Sequence, residues 1–408
     1  MTARRGCAGL LTILVVVAIA VRLGWVFYQG PAPAVEAGFS FPDERVYWNL
    51  AESIARGDGL VDEFGYRATY MPGYPAFLSI FVGWPHALLT VRIVQAVLGG
   101  LVVIPVYRLG EHLSGVALAT LAGLLVAVDP FLVGGFSHLL LTETLFTTCL
   151  AGAIYLSWPL PRGGQPWHHA GSGGLLWAAC IYLRPSSAVL AAVWLLATFV
   201  LSRTRARTFG HNVMTAFIIL VALLPWAERN RHVVGAWIWL TTRDGISLYD
   251  GLGPRATGAS DLAYTKAMPQ VRGLSELEWR DHFRHAAWQA ARDDPARAVR
   301  LAWTKLTRTW SFVPNEPSSR TPLKMWVSAI WMIATLGLAV IGAARLRCGR
   351  TILLLLLAAL YFTVLHMVFV GSIRYRVPVM PLVYVLGGFA LRPAPRAAPQ
   401  ARGAVSHG

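Results

Sequence analysis

The sequence predicts an all-α, multi-pass membrane protein of about ten transmembrane helices, with further amphipathic helices lying on its outer face. Three observations carry this. Of the 408 residues, 55% are hydrophobic and 14% charged, against about 25% charged in soluble domains. Runs of about 20 apolar residues, long enough to cross a bilayer as a helix, recur along the chain. In lipid each unpaired backbone amide costs several kcal/mol, so such runs must be helical.

The formal charge is +16, and nearly all of the basic residues are arginine. In a soluble chain this would point to nucleic acid. Here part of the excess sits in short loops and fixes topology, while the arginines of the outer loops suit an anionic lipid phosphate. Cys7, Cys149, Cys180 and Cys348 lack metal-ligand spacing, and no disulfide is expected.

Arg4 and Arg5 precede an apolar run over 8–28. No small-x-small cleavage site follows it, so it reads as an uncleaved first helix with an inner N-terminus. Arg22, near its outer end, reads as a snorkelling side chain. Residues 29–86 form the first outer loop. In it, Val46, Leu50 and Ile54 share one face of a predicted amphipathic helix over 43–56. The turn Met71-Pro72-Gly73-Tyr74-Pro75 then leads into an apolar stretch too short to span.

Further spans are expected at 87–107, 116–133 and 138–158, followed by an inner loop over 158–174. Residues 175–200 are one broken helix or a hairpin of two. Two helices put Arg203, Arg205 and Arg207 inside, as the positive-inside rule prefers, with Arg184-Pro185 at the outer turn. A seventh span covers about 212–226. The large outer loop, 228–322, holds a glycine-rich stretch (TTRDGISLYDGLGPRATG) expected to be irregular. Two helices follow it, the first opened by a Ser275/Glu278 capping box and the second by Pro295. Trp288, Val299, Trp303 and Leu306 give these helices apolar sides for the bundle. Spans at 323–344, 351–370 and 377–391 complete the domain of residues 1–391. The Pro/Ala-rich residues 392–408 are expected to be a disordered inner tail.

Chemistry concentrates on the outer side. Asp43 and Glu44, just beyond the first span with Tyr47 and Trp48 beside them, sit where a general base would meet a membrane-borne substrate. The plain alternative is that they complement a helix dipole. Arg67, Arg184, Arg229, Arg231, Arg374 and Arg376 are outer arginines whose guanidinium groups match phosphate oxygens. Arg374 and Arg376 flank Tyr375 in a short outer loop that should avoid positive charge. Asp129, His138 and Glu143 lie near outer helix ends, and His366 does too, although a satisfied core histidine is its plainer reading. The acids and histidine are spaced too loosely for a metal site. The chain carries no Walker motif, no glycine-rich dinucleotide fingerprint and no HExxH, so the energy for any reaction must come from an already activated, membrane-bound donor.

The ordered pieces DERVYWNLAESIARGDGL, YMPGYPAFL, TETLF, YLRPSS, LPWAERNR, TTRDGISLYDGLGPRATG and RYRVPVMP together resemble the GT-C glycosyltransferases. Within them the chain resembles the bacterial branch related to protein O-mannosyltransferases and the lipid A aminoarabinose transferase. It covers nearly the whole chain, to Pro381. The resemblance implies a bundle with an outer active site under juxtamembrane helices. It implies inverting transfer of one sugar from a polyprenyl-phosphate donor to a lipid, glycan or protein acceptor at the cytoplasmic membrane. It maps the base onto Asp43 with Glu44 as its neighbour, and the phosphate grip onto Arg184, Arg374 and Arg376; the outer Arg67 is expected to join them on the donor phosphate. Tyr47, Tyr74, Asp129, Glu143 and His366 would line the sugar and acceptor site. No cofactor is required by this scheme, though a divalent metal is compatible with it. One departure is Asp250-Gly251, where relatives often carry Gly-Asn; another is the lack of the large soluble C-terminal domain of some relatives. Rival readings are a flippase-type transporter, a non-catalytic assembly subunit, or a lipid-linked glycan polymerase or ligase. A transporter would want acids at mid-membrane and inverted repeats, and neither is visible.

Overall fold

The computed structural model describes residues 2–30, 38–159, 166–346 and 348–392. The expected tail beyond 392 lies outside the described residues, as do 160–165 of the expected inner loop and Arg347. Every extended element is a helix: α1 (Thr2–Gln29), α2 (Pro42–Ala55), α3 (Gly73–Ser79), α4 (Ala87–Gly100), α5 (Val103–Ser114), α6 (Val116–Val128), α7 (Glu143–Leu156) and α8 (Trp167–Leu183), then α9 (Ser187–Leu201), α10 (Arg205–Val234), α11 (Asp244–Leu252), α12 (Glu276–Asp293), α13 (Pro295–Thr309), α14 (Pro322–Leu346), α15 (Gly349–Val368) and α16 (Met380–Gly388). Among the described residues, six helical stretches are long and apolar enough to cross a membrane, and α7 and α9 are shorter apolar helices. With α8 and α16 they make the bundle.

Local chemistry sets the breaks. Between α4 and α5 the chain turns at Leu101 and Val102, because Pro105 has no N–H to give the preceding turn and its ring crowds it. The pair α8 and α9 is the expected hairpin, broken at Arg184-Pro185. Trp177 and Trp194, one on each arm, donate to the same acceptor, Ser157 Oγ, at 3.3 and 2.8 Å. Helix α10 runs 30 residues, about 45 Å at 1.5 Å per residue, and overshoots the expected span at both ends.

Several expectations are corrected. Arg22 does not snorkel. It is buried and donates to Ala127 O and Val126 O at 3.1 and 3.0 Å, so its charge meets the negative end of α6. The fourth span begins at Glu143 rather than 138, because residues 136–142 form turns and bends rather than helix. The expected inner loop over 158–174 is helical from Trp167 onward. The Met71–Pro75 turn opens α3, where a side chain on Gly73 would lie 2.6 Å from Tyr182 O; only glycine lets α3 approach α8 so closely. The stretch expected to be irregular contains α11, whose Gly251 abuts the Val368 carbonyl at the end of α15. Its glycines serve close packing rather than looseness. The Ser275/Glu278 capping box forms as expected, but Trp288, Val299 and Trp303 face outward, at 49%, 70% and 65% exposure. α13 instead turns its polar face, with buried Lys305 and Thr309, toward the bundle. An outward apolar face with an inward polar one suits a helix lying in the membrane interface.

The two ends of the bundle differ. At one end Arg345 bonds the Ala390 carbonyl and Arg392 bonds Ser114 and the Leu113 carbonyl. Arg205 and Arg207 open α10 at the same end. At the other end lie α2, α3 and α11–α13, together with the acids and arginines of the site.

Candidate active site

A helix turns about 100° per residue, so the adjacent acids of α2 point to different places. Glu44 points inward and is fully buried. Its Oε2 accepts from the Ser40 and Phe41 amides at 2.7 and 2.9 Å, closing the start of α2. Its Oε1 accepts from the Leu140 amide at 2.8 Å. Glu44 does not line the cavity, and both of its oxygens are taken by backbone amides.

Asp43 faces a cavity of about 2440 Å³ bounded by α2, α11, α14, the 128–141 segment and the 370–375 loop. Its side chain is 47% exposed and pairs with Arg374 Nη1 at 2.6 Å. The Arg374 Nε donates to Glu143 Oε1 at 2.5 Å. The same glutamate oxygen takes Arg184 Nη2 at 2.6 Å, and Arg184 Nε donates to Thr142 Oγ1 at 3.0 Å. The result is one chain of alternating charge, Asp43–Arg374–Glu143–Arg184, running from the cavity into the bundle. Glu143 Oε2 is buried and has no donor.

Burial pushes the Asp43 carboxyl up, but the Arg374 guanidinium, helped by Arg243 and Arg184, outweighs it and holds the group below its usual range. Asp43 is therefore ionised and ready to accept a proton, though a weak base while Arg374 stays on it. Burial and then the Asp43 charge push the Tyr47 phenol up, so it remains protonated.

Aromatic rings frame this chain. Tyr375 lines the cavity and lies within reach of both Arg184 and Arg374, at 5.8 and 5.6 Å from ring centroid to guanidinium carbon. His366 stacks on the other side of that ring at 3.6 Å and its Nδ1 is 3.0 Å from Val370 O. Tyr47 meets Tyr70 and Tyr74 edge to face. Arg243, at the head of α11, lies over the Tyr70 ring at 4.5 Å and also lines the cavity.

The structure thus brings Asp43, Glu143, Arg184 and Arg374 together, with Tyr47 and His366 behind them. Other expected residues lie elsewhere. Arg67 is on the cavity rim, exposed, while its backbone is pinned to Glu276 and Arg229. Tyr74 is buried behind Tyr47, donating to Gln95 at 2.5 Å. Asp129 is buried away from the cavity, accepting from the Phe131 and Leu132 amides and from the Tyr384 hydroxyl. Arg376 turns away from Arg374: it is buried and its Nη1 donates to the Thr309 and Ser311 carbonyls at 3.0 and 2.5 Å. Arg231 pairs loosely with Glu228 at 3.8 Å and covers Trp237. Residue reading assigned no role to Tyr70 or Arg243; the second was hidden by taking its stretch for an irregular loop. Among the described residues no three of His, Cys, Asp or Glu converge as metal ligands, and the Arg374 cation itself bridges the two carboxylates.

Residues 72–227 match the family described as dolichyl-phosphate-mannose-protein mannosyltransferase. That segment contains Glu143 and Arg184 but neither Asp43 nor Arg374. No curated protein matches the chain by sequence. Among solved structures, it is similar to the oligosaccharyltransferase AglB of the archaeon Archaeoglobus fulgidus. In complex with an inhibitory peptide and a dolichol-phosphate, that enzyme superposes at a TM-score of 0.61 and 13% identity, over 95% of this chain and 50% of that one. Its apo form gives 0.57 and 12%, over 93% and 50%. The form tethered to an acceptor peptide containing the NVT sequon gives 0.58 and 13%, over 94% and 49%. The chain spans about half the length of these structures, and at such identity the likeness is one of fold. The chain thus shares its fold with this oligosaccharyltransferase, and residues 72–227 carry the likeness to the mannosyltransferase family.

Proposed function

We propose that the protein is a glycosyltransferase that moves one sugar from a polyprenyl-phosphate donor to a hydroxyl of a lipid, glycan or protein acceptor, with inversion. Residues 1–391 form the catalytic unit, set in the cytoplasmic membrane with the cavity on the extracytoplasmic side. The arginines gathered at the opposite end of the bundle favour that orientation. The one observation that carries the reading is Asp43: an ionised carboxylate at the wall of a large cavity, held by an arginine that has a second carboxylate behind it. The similarity to an enzyme solved with a dolichol-phosphate supports a lipid-linked donor.

The geometry suggests how the parts cooperate. Donor phosphate competes with Asp43 for the Arg374 guanidinium, while Glu143 and Arg184 keep that arginine in place from behind. As Arg374 turns to the phosphate, Asp43 loses its nearest cation and becomes a better base. Asp43 takes the acceptor's proton, the acceptor oxygen bonds to the anomeric carbon, and the bond from that carbon to the phosphate oxygen breaks. The electron pair leaves with the polyprenyl phosphate, whose charge is met by Arg374. Arg67 stands at the rim for a second phosphate contact. Arg184 acts by positioning Glu143, and Arg376 by bracing the loop. A flippase would need acids deep in the bundle along a path, whereas these are gathered at one end.

The test is Asp43→Asn in membranes supplied with labelled polyprenyl-phosphate mannose. Transfer should fall by about 10²- to 10⁴-fold with normal protein levels, and undiminished transfer would overturn the assignment. Mass spectrometry of glycolipids and glycoproteins from a deletion strain identifies the sugar and acceptor.

A further inference from the structure

Arg374 stands on a very short piece of backbone. Residues 373–375 make a single 3₁₀ turn between α15 and α16, too short to hold itself in place by a ladder of its own bonds. Its guanidinium nevertheless meets Asp43 Oδ2 at 2.6 Å and Glu143 Oε1 at 2.5 Å in one pose. Three amides of the segment stay local: Arg374 N donates to Ser372 Oγ at 3.5 Å, Tyr375 N to Ser372 O at 3.1 Å and Arg376 N to Ile373 O at 3.2 Å. The Ile373 amide, next to Arg374, reaches out of the turn instead. It donates to Asn315 Oδ1 at 2.7 Å, a shorter bond than the local three.

Asn315 follows α13, is only 9% exposed and lines the cavity. Its Nδ2 donates to the Arg308 carbonyl, in the last turn of α13, at 3.2 Å. The Ile373 amide can only donate and the Arg308 carbonyl can only accept, so both ends of the Asn315 side chain are used and its orientation is fixed. A carboxylate at this position would have no proton for the carbonyl, and an alanine would serve neither group.

The same stretch grips the segment at two further points. Arg308 Nε donates to Gly371 O at 3.1 Å, and Arg376 Nη1 donates to Thr309 O and Ser311 O. Gly371 lies so close to the Lys305 carbonyl that a Cβ there would collide with it. These grips fall before and after Arg374, whereas Asn315 acts on the residue beside it.

We propose that Asn315 is a positioning residue: it seats the Ile373–Tyr375 turn on the end of α13 so that the Arg374 guanidinium lies between Asp43 and Glu143. That Arg374 goes on to meet a phosphate rests on the proposed function, while its placement by Asn315 does not. Without Asn315 the turn loses its tie to α13, Arg374 sits less closely on Asp43, and the Asp43 carboxyl holds its proton more tightly. Arg243 and Arg184 also face Asp43, as do the phenols of Tyr47, Tyr70 and Tyr375, with Glu143 beyond Arg374. Asn315 hydrogen-bonds to none of these side chains, so a change at 315 is read through Arg374.

The experiment uses the full chain in nanodiscs of phosphatidylcholine. Dicyclohexylcarbodiimide reacts with protonated carboxyl groups, and tandem mass spectrometry reads the label at Asp43 as pH is varied. Glu63, whose partner is Lys266, serves as the internal reference. Asn315→Ala should raise the ratio of Asp43 to Glu63 labelling at about pH 5 by about tenfold, the equivalent of one pKa unit. Arg374→Gln sets the upper limit, and in that background Asn315→Ala should add nothing, as a residue acting through Arg374 must. An unchanged ratio in Asn315→Ala, or its full effect retained in the Arg374→Gln background, would overturn the proposal. Should Asn315→Ala fail to accumulate, Arg320→Gln decides the matter more gently. Arg320 is exposed and supports the 314–315 backbone from outside, donating to Pro314 O and Asn315 O at 3.0 and 3.5 Å. Its loss should raise the ratio about threefold, and no rise would overturn the proposal. Labelling needs no sugar transfer, so the placement of Arg374 can stand where the Asp43→Asn test fails, and the reverse.

Discussion

Two sets of charged residues share one end of the molecule and behave in opposite ways. Asp43, Arg374, Glu143 and Arg184 answer one another, side chain to side chain. Glu44, Arg376 and Lys305 answer backbone: three amides, two carbonyls and two carbonyls respectively. A charge matched by backbone is fixed wherever the fold is fixed. A charge matched by another side chain can change partner when a ligand offers a better one. The two sets interleave in sequence, as Asp43 beside Glu44 and Arg374 two residues from Arg376. Function here is decided by what each group faces.

The contrast can be broken most directly at the adjacent acids. Glu44→Ala leaves the buried Leu140 amide and the partly buried Ser40 and Phe41 amides without an acceptor, and releases the start of α2 from the 136–142 segment. The expected loss is about 3–5 kcal/mol, seen as a large fall in the thermal midpoint in detergent or as failure to accumulate. Asp43→Asn should cost less than about 1 kcal/mol, because Asp43 is half exposed and Arg374 keeps Glu143. A Glu44→Ala protein with a native midpoint would erase the distinction between the sets.

Much of the fold was legible because lipid enforces one rule, helix in apolar runs, and because charge asymmetry orients the runs. That is why the hairpin at Arg184-Pro185 follows from parity. The site was legible only in part. Asp43, Glu143 and Arg374 declare themselves by being ionisable near helix ends, but so do Glu44, Asp129 and Arg376, and no pattern in the chain tells which of two neighbours turns inward. Arg22 misled for the same reason: a long cation near a span's end usually reaches for water, and here a nearer target was the carbonyl end of α6. Glycines misled in TTRDGISLYDG, where tight packing and looseness leave the same composition.

Arg374 offers a finer test. Wild-type Asp43 has a lowered pKa, so the stability it contributes is present above the ordinary carboxylate value and is lost only as pH falls through the lower folded value. At neutral pH that loss is out of sight. Activity carries the information instead: the acid limb of kcat/KM reports the free enzyme, and Asp43 should place it below the usual carboxylate range. In Arg374→Gln the upward push of burial is no longer outweighed by its main opponent, so the limb should move toward neutral pH while transfer falls about 10- to 100-fold. Arg374→Lys keeps a charge but not the two-sided fork, and should recover the limb more than the rate. An unmoved limb in Arg374→Gln would mean that Asp43 is not the group being titrated.

The smallest effect on transfer belongs to the other set. Lys305 is completely buried against the end of α15, its Nζ 2.7 Å from Val368 O, and burial lowers its pKa to about 8. The neutral amine still has protons for both carbonyls, so the brace survives deprotonation. Between pH 8 and the ordinary lysine value the unfolded chain holds the proton more tightly than the folded one. Stability should therefore rise with pH across that window, by up to about 3 kcal/mol. Lys305→Met removes the rise, and if it also lowers transfer, the loss should appear in kcat with the acid limb unmoved, since Lys305 braces the strand of chain leading to Arg374 and touches no member of the reacting row. A wild-type midpoint that stays flat or falls from pH 8 to 10, with Lys305→Met showing the same trend, would place that lysine among the exchangeable charges after all.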